Sequence, residues 1–113
     1  SIPLIGICRG MQTLNYFYEG YLEDVEGHSG KIVEMKNLIN DYKYDKFVNS
    51  FHEKGITHKS ISKEFNILAI SNEVIKAFKH KNLPLYGIMW HPERNSPFSK
   101  NDLIFFQNIF NKI

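Results

Sequence analysis

The stretch Ile2-Pro3-Leu4-Ile5-Gly6-Ile7 runs unbroken and apolar into Cys8-Arg9-Gly10, after which the apolar period changes. A continuous apolar run of this length fits a strand buried on both faces. Met11, Leu14, Phe17 and Tyr18 then recur at the three- and four-residue steps of a helix face. The chain is therefore expected to turn sharply from strand to helix at Cys8. Few arrangements accept that turn: the strand must lie in a sheet, and the helix must fold back onto it. Gly20 is expected to close the helix as its C-cap.

The remaining apolar segments supply the sheet. Residues 31–35 and 47–51 read as strands, joined by a polar connection through Asn40 and Lys43. Residues 65–70 and 74–78 alternate about Ser71-Asn72-Glu73 and read as a β-hairpin. At that turn Asn72 suits the left-handed conformation, whereas Glu73 fits it poorly. Residues 83–90 form a further apolar run, stopped by Pro92, which has no N–H to donate. In the tail, Ser99 is placed to cap a helix, with Asp102 three residues on as the acid of a capping box. Leu103, Phe106, Phe110 and Ile113 then recur with helical spacing and are expected to dock on the sheet. The pattern is α/β: one domain, a mixed sheet, and helices packed on it.

Length and charge narrow the classes of partner. A chain of 113 residues makes one domain, and 42% hydrophobic against 23% charged residues is ordinary for a globular fold. Fourteen Lys and Arg are scattered among twelve Asp and Glu, for a net charge of +2, so no nucleic-acid face is expected. No apolar run approaches the roughly 18 residues needed to cross a bilayer, so no membrane partner is expected either. No signal-peptide pattern is visible. A single cysteine excludes an intrachain disulfide and fits a reducing compartment, so the cytoplasm is the expected location.

Two segments carry chemistry. In Gly6-Ile7-Cys8-Arg9-Gly10 a potential nucleophile has glycine two places to either side, as in the strand–turn–helix elbow of hydrolases, where small neighbours let the backbone pass close by. A cysteine at a helix N-terminus also has backbone N–H groups and the helix dipole to favour its thiolate. By itself the segment fits equally a buried structural cysteine in a glycine-containing turn. The second segment, Trp90-His91-Pro92-Glu93, closes a strand. Side chains two residues apart share one side of an extended chain, so Glu93 is expected to hold the His91 ring while His91 faces Cys8. Nucleophile, base and orienting carboxylate then stand in sequence of role. His28, His58 and His80 have no partner at metal-ligand spacing and are expected in loops. No zinc pattern, phosphate loop or dinucleotide fingerprint is present, so neither a metal nor a cofactor is expected.

Together, Pro3-Leu4-Ile5-Gly6-Ile7-Cys8-Arg9-Gly10-Met11-Gln12 and Gly87-Ile88-Met89-Trp90-His91-Pro92-Glu93 resemble the class I (triad) glutamine amidotransferases. The resemblance implies a flavodoxin-like fold with a nucleophile elbow and a catalytic Cys8, His91 and Glu93. It implies hydrolysis of a γ-glutamyl amide through a thioester on Cys8. It also implies an oxyanion hole using the backbone N–H of Arg9, with a second donor from a glycine-rich loop upstream of the elbow. No such loop precedes Cys8 here, so residues 1–113 are expected to be the C-terminal, triad-bearing portion of one domain.

Val48-Asn49-Ser50-Phe51-His52 further resembles the γ-glutamyl hydrolase and γ-glutamyl-γ-aminobutyrate hydrolase-like branch. That likeness implies substrate-binding roles for Asn49, Ser50 and His52. It departs at Glu53-Lys54, where the branch has His-Gln, and a lysine there favours an anionic group. The hairpin resembles the same branch and is read as scaffold. Gln12, one helical turn from Cys8, is expected to bind substrate, with Arg9 beside it at the pocket mouth. The expected ligand is a small γ-glutamyl molecule. Two alternatives remain open: a glutaminase that hands ammonia to a separate synthase partner, and a truncated, non-catalytic relative.

Overall fold

The computed structural model describes residues 2–39 and 42–111. The expected roles of Asn40 and Ile113 lie outside the described residues. The first strand, β1, spans Leu4–Ile7, and α1 follows at Arg9–Phe17 with Cys8 alone between them. Then come β2 (Glu23–Asp24), β3 (Ser29–Glu34), β4 (Lys36–Asn37), β5 (Phe47–Phe51), β6 (Lys54–Gly55), β7 (Phe65–Ser71), β8 (Val74–His80) and β9 (Leu85–Ile88). A 3-10 turn at Pro92–Arg94 and the helix α2 (Lys100–Phe110) complete the chain. The expected α/β class with a mixed sheet is what forms.

The main sheet has the order β1-β9-β8-β7-β4. β1 and β9 run parallel, with Leu4 opposite Leu85 and Ile7 opposite Ile88. The β9–β8, β8–β7 and β7–β4 pairs are antiparallel. Beside this sheet, β3 pairs with β5 and β2 with β6. The parallel pair brings the C-terminal ends of β1 and β9 to the same edge of the sheet, and this places the site. Apolar packing covers both faces: Met11 of α1 clusters with Ile75, Phe78 and Met89, while Phe105 and Ile109 of α2 cluster with Trp90, Tyr86, Tyr44 and Ile88.

Several elements depart from expectation for identifiable reasons. β1 is not buried on both faces: it is the edge strand of the sheet among the described residues, and Leu4 and Ile7 are partly exposed. Helix α1 turns Asn15 inward and leaves Phe17 exposed. The Asn15 amide donates to the Tyr21 and Ser60 carbonyls and accepts from the Ser62 N–H, tying α1 to the loop beneath it. The helix ends in a Schellman motif, with Glu19 rather than Gly20 in the left-handed region at φ 73°. Gly20 donates to the Asn15 carbonyl at 2.8 Å, and glycine is required there because a Cβ would come within 2.4 Å of the Asn15 side chain.

In the hairpin, Asn72 alone takes positive φ (53°), so Glu73 is not asked to. In the tail, Ser99 caps α2 as expected, accepting from the Asp102 N–H at 3.3 Å. Asp102 itself does not act as a capping-box acid. It is buried, accepts from the Trp90 indole N–H at 3.1 Å, and is pushed up to about 6 by that burial. The docking face of α2 accordingly runs through Asp102, Phe105 and Ile109; Leu103 and Phe110 are exposed and Phe106 is half-buried.

Candidate active site

Cys8 occupies the bend between β1 and α1 at φ 52°, ψ −102°. A side chain at positive φ is strained, by an amount on the order of 1–3 kcal/mol, and such strain gathers at functional sites. The bend is held by the Cys8 N–H donating to the Ile88 carbonyl at 2.7 Å and by Gln12 N–H closing the first helical turn on the Cys8 carbonyl. Gly6 permits it: a Cβ at that position would meet backbone atoms of Gly10 at 2.6 and 2.7 Å. Gly10 is not required in the same way, since a Cβ there meets nothing within 4 Å. The helix terminus also does less for the thiol than expected. Burial pushes the Cys8 thiol up, and the Arg9 backbone N–H with the charges of Lys76, Arg9 and Arg94 only partly offsets it.

His91 follows β9 at the same end of the sheet. Its Nδ1 lies 2.7 Å from Oε2 of Glu93. The reason differs from the one expected, because the chain after His91 is not extended; the Pro92–Arg94 turn curls Glu93 back onto the ring. Burial acts to raise Glu93, but its own backbone N–H, the His91 hydrogen bond and the charges of His91 and Arg94 hold its carboxyl below the usual range. No hydrogen bond joins the His91 ring to Cys8 Sγ among the described residues. The two are related by the register that sets Ile7 beside Ile88.

Asn49 and Ser50 direct their side-chain hydrogen bonds to partners within the protein. Asn49 clamps the backbone of His91, donating to its carbonyl and accepting from its N–H, both at 2.8 Å. Ser50 is fully buried; it donates to the His28 carbonyl at 2.7 Å and accepts from Lys76 Nζ at 2.9 Å. His52 does reach the site, lining a cavity of about 380 Å³ with Cys8, Arg9, Gln12, Ser29, Phe51, Glu53 and Lys54. Gln12 donates from Nε2 to the Lys54 carbonyl at 3.0 Å. A roomier hollow of about 550 Å³ between Tyr18 and Ser62 holds no cysteine or histidine.

Lys54 and His80 stand differently from their expected places, and His28 adds burial to its expected loop position. Lys54, expected to attract an anion, is exposed and ion-paired with Asp24. His28 lies in the loop before β3, as expected, and is buried there; its ring stacks on His52 at 5.2 Å, and burial with the Lys76 charge brings it down to about 4. His80 ends β8, buried, accepting from the Asn82 and Leu83 N–H groups. His58 alone sits in an exposed turn as expected. Beside His52, and not singled out by sequence reasoning, is Lys76, wholly buried on β8, whose Nζ lies 2.7 Å from His52 Nε2. Among the described residues no three His, Cys, Asp or Glu side chains gather as a metal-ligand set, and no helix is long and apolar enough to cross a membrane.

An α/β sheet with a cysteine at positive φ in a strand–helix bend, and a histidine–carboxylate pair closing the adjacent parallel strand, has the form of the strand–turn–helix elbow class. The chain belongs to the class I glutamine amidotransferase family, whose model matches residues 1–111. It is 35% identical over 98 residues to the γ-glutamyl-CDP-amidate hydrolase of Campylobacter jejuni, covering 85% of this chain and 45% of that protein. It is 36% identical over 98 residues to a glutamine-hydrolysing GMP synthase subunit of Methanobrevibacter smithii, covering 82% and 51%. The chain thus spans about half the length of these curated relatives. Its fold matches a Thermoplasma acidophilum protein described as a GMP synthase subunit, with TM-score 0.81 and 19% identity over 96% of this chain and 56% of that one.

Proposed function

We propose that this site hydrolyses a γ-glutamyl amide, glutamine or a γ-glutamyl metabolite, with Cys8 as nucleophile, His91 as base and acid, and Glu93 as the group orienting His91. The observation that carries the reading is the 2.7 Å His91–Glu93 hydrogen bond, at the strand end held in register beside the strained Cys8. In this mechanism the Cys8 sulfur attacks the γ-carbonyl carbon as His91 takes the thiol proton. The carbonyl π electrons move to oxygen, and the Arg9 N–H faces the resulting oxyanion. The C–N bond then breaks, and His91 returns the proton to the departing nitrogen. Water, deprotonated by His91, attacks the thioester, and glutamate leaves as the thiol is restored.

The relatives include a hydrolase and components of synthases, one of them glutamine-hydrolysing, so a second reading has support: ammonia delivered to a synthase partner. The test is a panel of glutamine and γ-glutamyl amides with the full-length protein and Cys8→Ala. Glutamate release by wild type, abolished in Cys8→Ala, is the expected result. Equal release by both ends the reading, and release that appears only with an added synthase favours the partner version.

A further inference from the structure

The cavity against Cys8 holds more charge than the proposed hydrolysis uses. The charged side chains that line it are Arg9, Glu53 and Lys54. Lys54 is already engaged, ion-paired with Asp24 across the β2–β6 ribbon. His52 is engaged as well, with Nδ1 at 2.8 Å from the Lys54 carbonyl and Nε2 at 2.7 Å from Lys76 Nζ. Arg9 and Glu53 remain. Both are exposed, and neither side chain makes a hydrogen bond or ion pair among the described residues.

The backbone beneath Glu53 is fixed although its side chain is free. The Glu53 carbonyl accepts from the Val25 N–H at 3.1 Å, and the next carbonyl, that of Lys54, accepts from Gln12 Nε2 at 3.0 Å. Gln12 stands one helical turn from Cys8, and its own N–H closes that turn on the Cys8 carbonyl at 3.1 Å. The wall that bears Glu53 is thereby tied to the turn that bears the nucleophile. Arg9 follows Cys8 directly, so the cavity offers a free cation on its α1 side and a free anion on its 52–54 side.

A γ-glutamyl group carries the matching pair. Its α-carbon bears an ammonium and a carboxylate, joined to the reacting carbonyl by a short methylene chain. With that carbonyl at Cys8, the carboxylate is drawn to Arg9 and the ammonium to Glu53. Hydrogen bonds between ionised partners are the strong ones, so the match favours ligands that carry both charges. We propose that Glu53 is a specificity-determining residue: its carboxylate accepts hydrogen bonds from the α-ammonium of the substrate, so the site selects γ-glutamyl compounds whose α-amine is free. No bond is made or broken at Glu53. The inference rests on the γ-glutamyl reading above.

The test is calorimetric binding of glutamine and of glutaramate, the same amide without its α-amine. The full-length protein carries Cys8→Ser, which removes the thiol and nearly keeps its shape. Glutamine is expected to bind more tightly than glutaramate. Adding Glu53→Gln should weaken glutamine about 10–100-fold and leave glutaramate unchanged. Glu53 is exposed and held through its backbone, so the substitution leaves the wall in place. Glutamine binding that does not move, equal weakening of both ligands, or no binding of either overturns the proposal. A γ-glutamyl diamine separates the α-ammonium from a cationic leaving group. A larger loss for it than for glutamine places Glu53 at the leaving amine and also overturns the proposal. Selective binding with no glutamate release by wild type sinks only the functional reading; glutamate release with glutamine binding unmoved by Glu53→Gln sinks only the role of Glu53.

Discussion

The two glycines around Cys8 are alike in sequence and unlike in what they permit. Gly6 lies against the backbone of Gly10, so Gly6→Ala must push α1 away from β1, and overpacking of this kind costs about 1–3 kcal/mol. Gly10 sits inside a helix with open space where a Cβ would go, and alanine is favoured over glycine in helices by about 1 kcal/mol. Thermal melts are therefore expected to move in opposite directions, with Tm lowered in Gly6→Ala and held or raised in Gly10→Ala. A similar distinction applies to Asn49. Because it grips both the N–H and the carbonyl of His91, Asn49→Ala should let the base drift from its alignment. The expected loss is about 10–100-fold in kcat with little change in KM, since the amide contacts the base and not the cavity. Steady-state kinetics giving wild-type kcat would remove Asn49 from that role.

Among the elements, α2 shows how a buried polar group chooses a helix face. Leu103, Ile104, Phe105, Phe106, Ile109 and Phe110 give the helix two overlapping apolar stripes, and the one containing Leu103, Phe106 and Phe110 has the cleaner spacing. The Trp90 indole selects the other by requiring Asp102 as its acceptor, and Phe105 and Ile109 follow it inward. Phe105→Ala should cost about 3–5 kcal/mol. Leu103→Ala should stay within about 0.5 kcal/mol. Urea unfolding of the two variants checks the assignment. The same reasoning separates what the sequence discloses from what it hides. The strand–turn–helix at Cys8 and the hairpin at Asn72 are local, and both are readable. Lys76 is hidden because Val74-Ile75-Lys76-Ala77-Phe78 alternates like a strand with one wet face, whereas β5 and His28 cover that face of β8 and leave Lys76 no solvent. Asn49 and Ser50 are found as neighbours of the site, but their partners inside the fold are hidden, because sequence spacing cannot tell which distant backbone a buried amide or hydroxyl will hold.

Taken as a whole, the molecule sets buried titratable groups against one another, and its stability should follow pH accordingly. His28 and His52 are brought down to about 4 by burial and Lys76, so between roughly pH 4 and 6.5 an unfolded chain binds two protons that the folded chain refuses. Their contribution is complete above about pH 6.5 and is lost as pH falls through 4. Asp102 has the opposite sign. Burial raises it to about 6, so its proton favours the fold at low pH, and that contribution is lost as pH rises from about 4 through 6. Two protons against one leave a net uptake of about one on unfolding near pH 5, or roughly 1.4 kcal/mol lost per unit of acidification. Asp102→Asn keeps an acceptor for Trp90 and removes the opposing titration. It should therefore be more stable than wild type at pH 7, where the native carboxylate is buried and its Oδ2 has no partner among the described residues. The variant's advantage should shrink toward pH 4, because its acid limb falls with about two protons rather than one. Urea unfolding at pH 4, 5, 6 and 7 reads both slopes, and parallel curves for the two proteins would show that Asp102 ionises as freely in the fold as outside it.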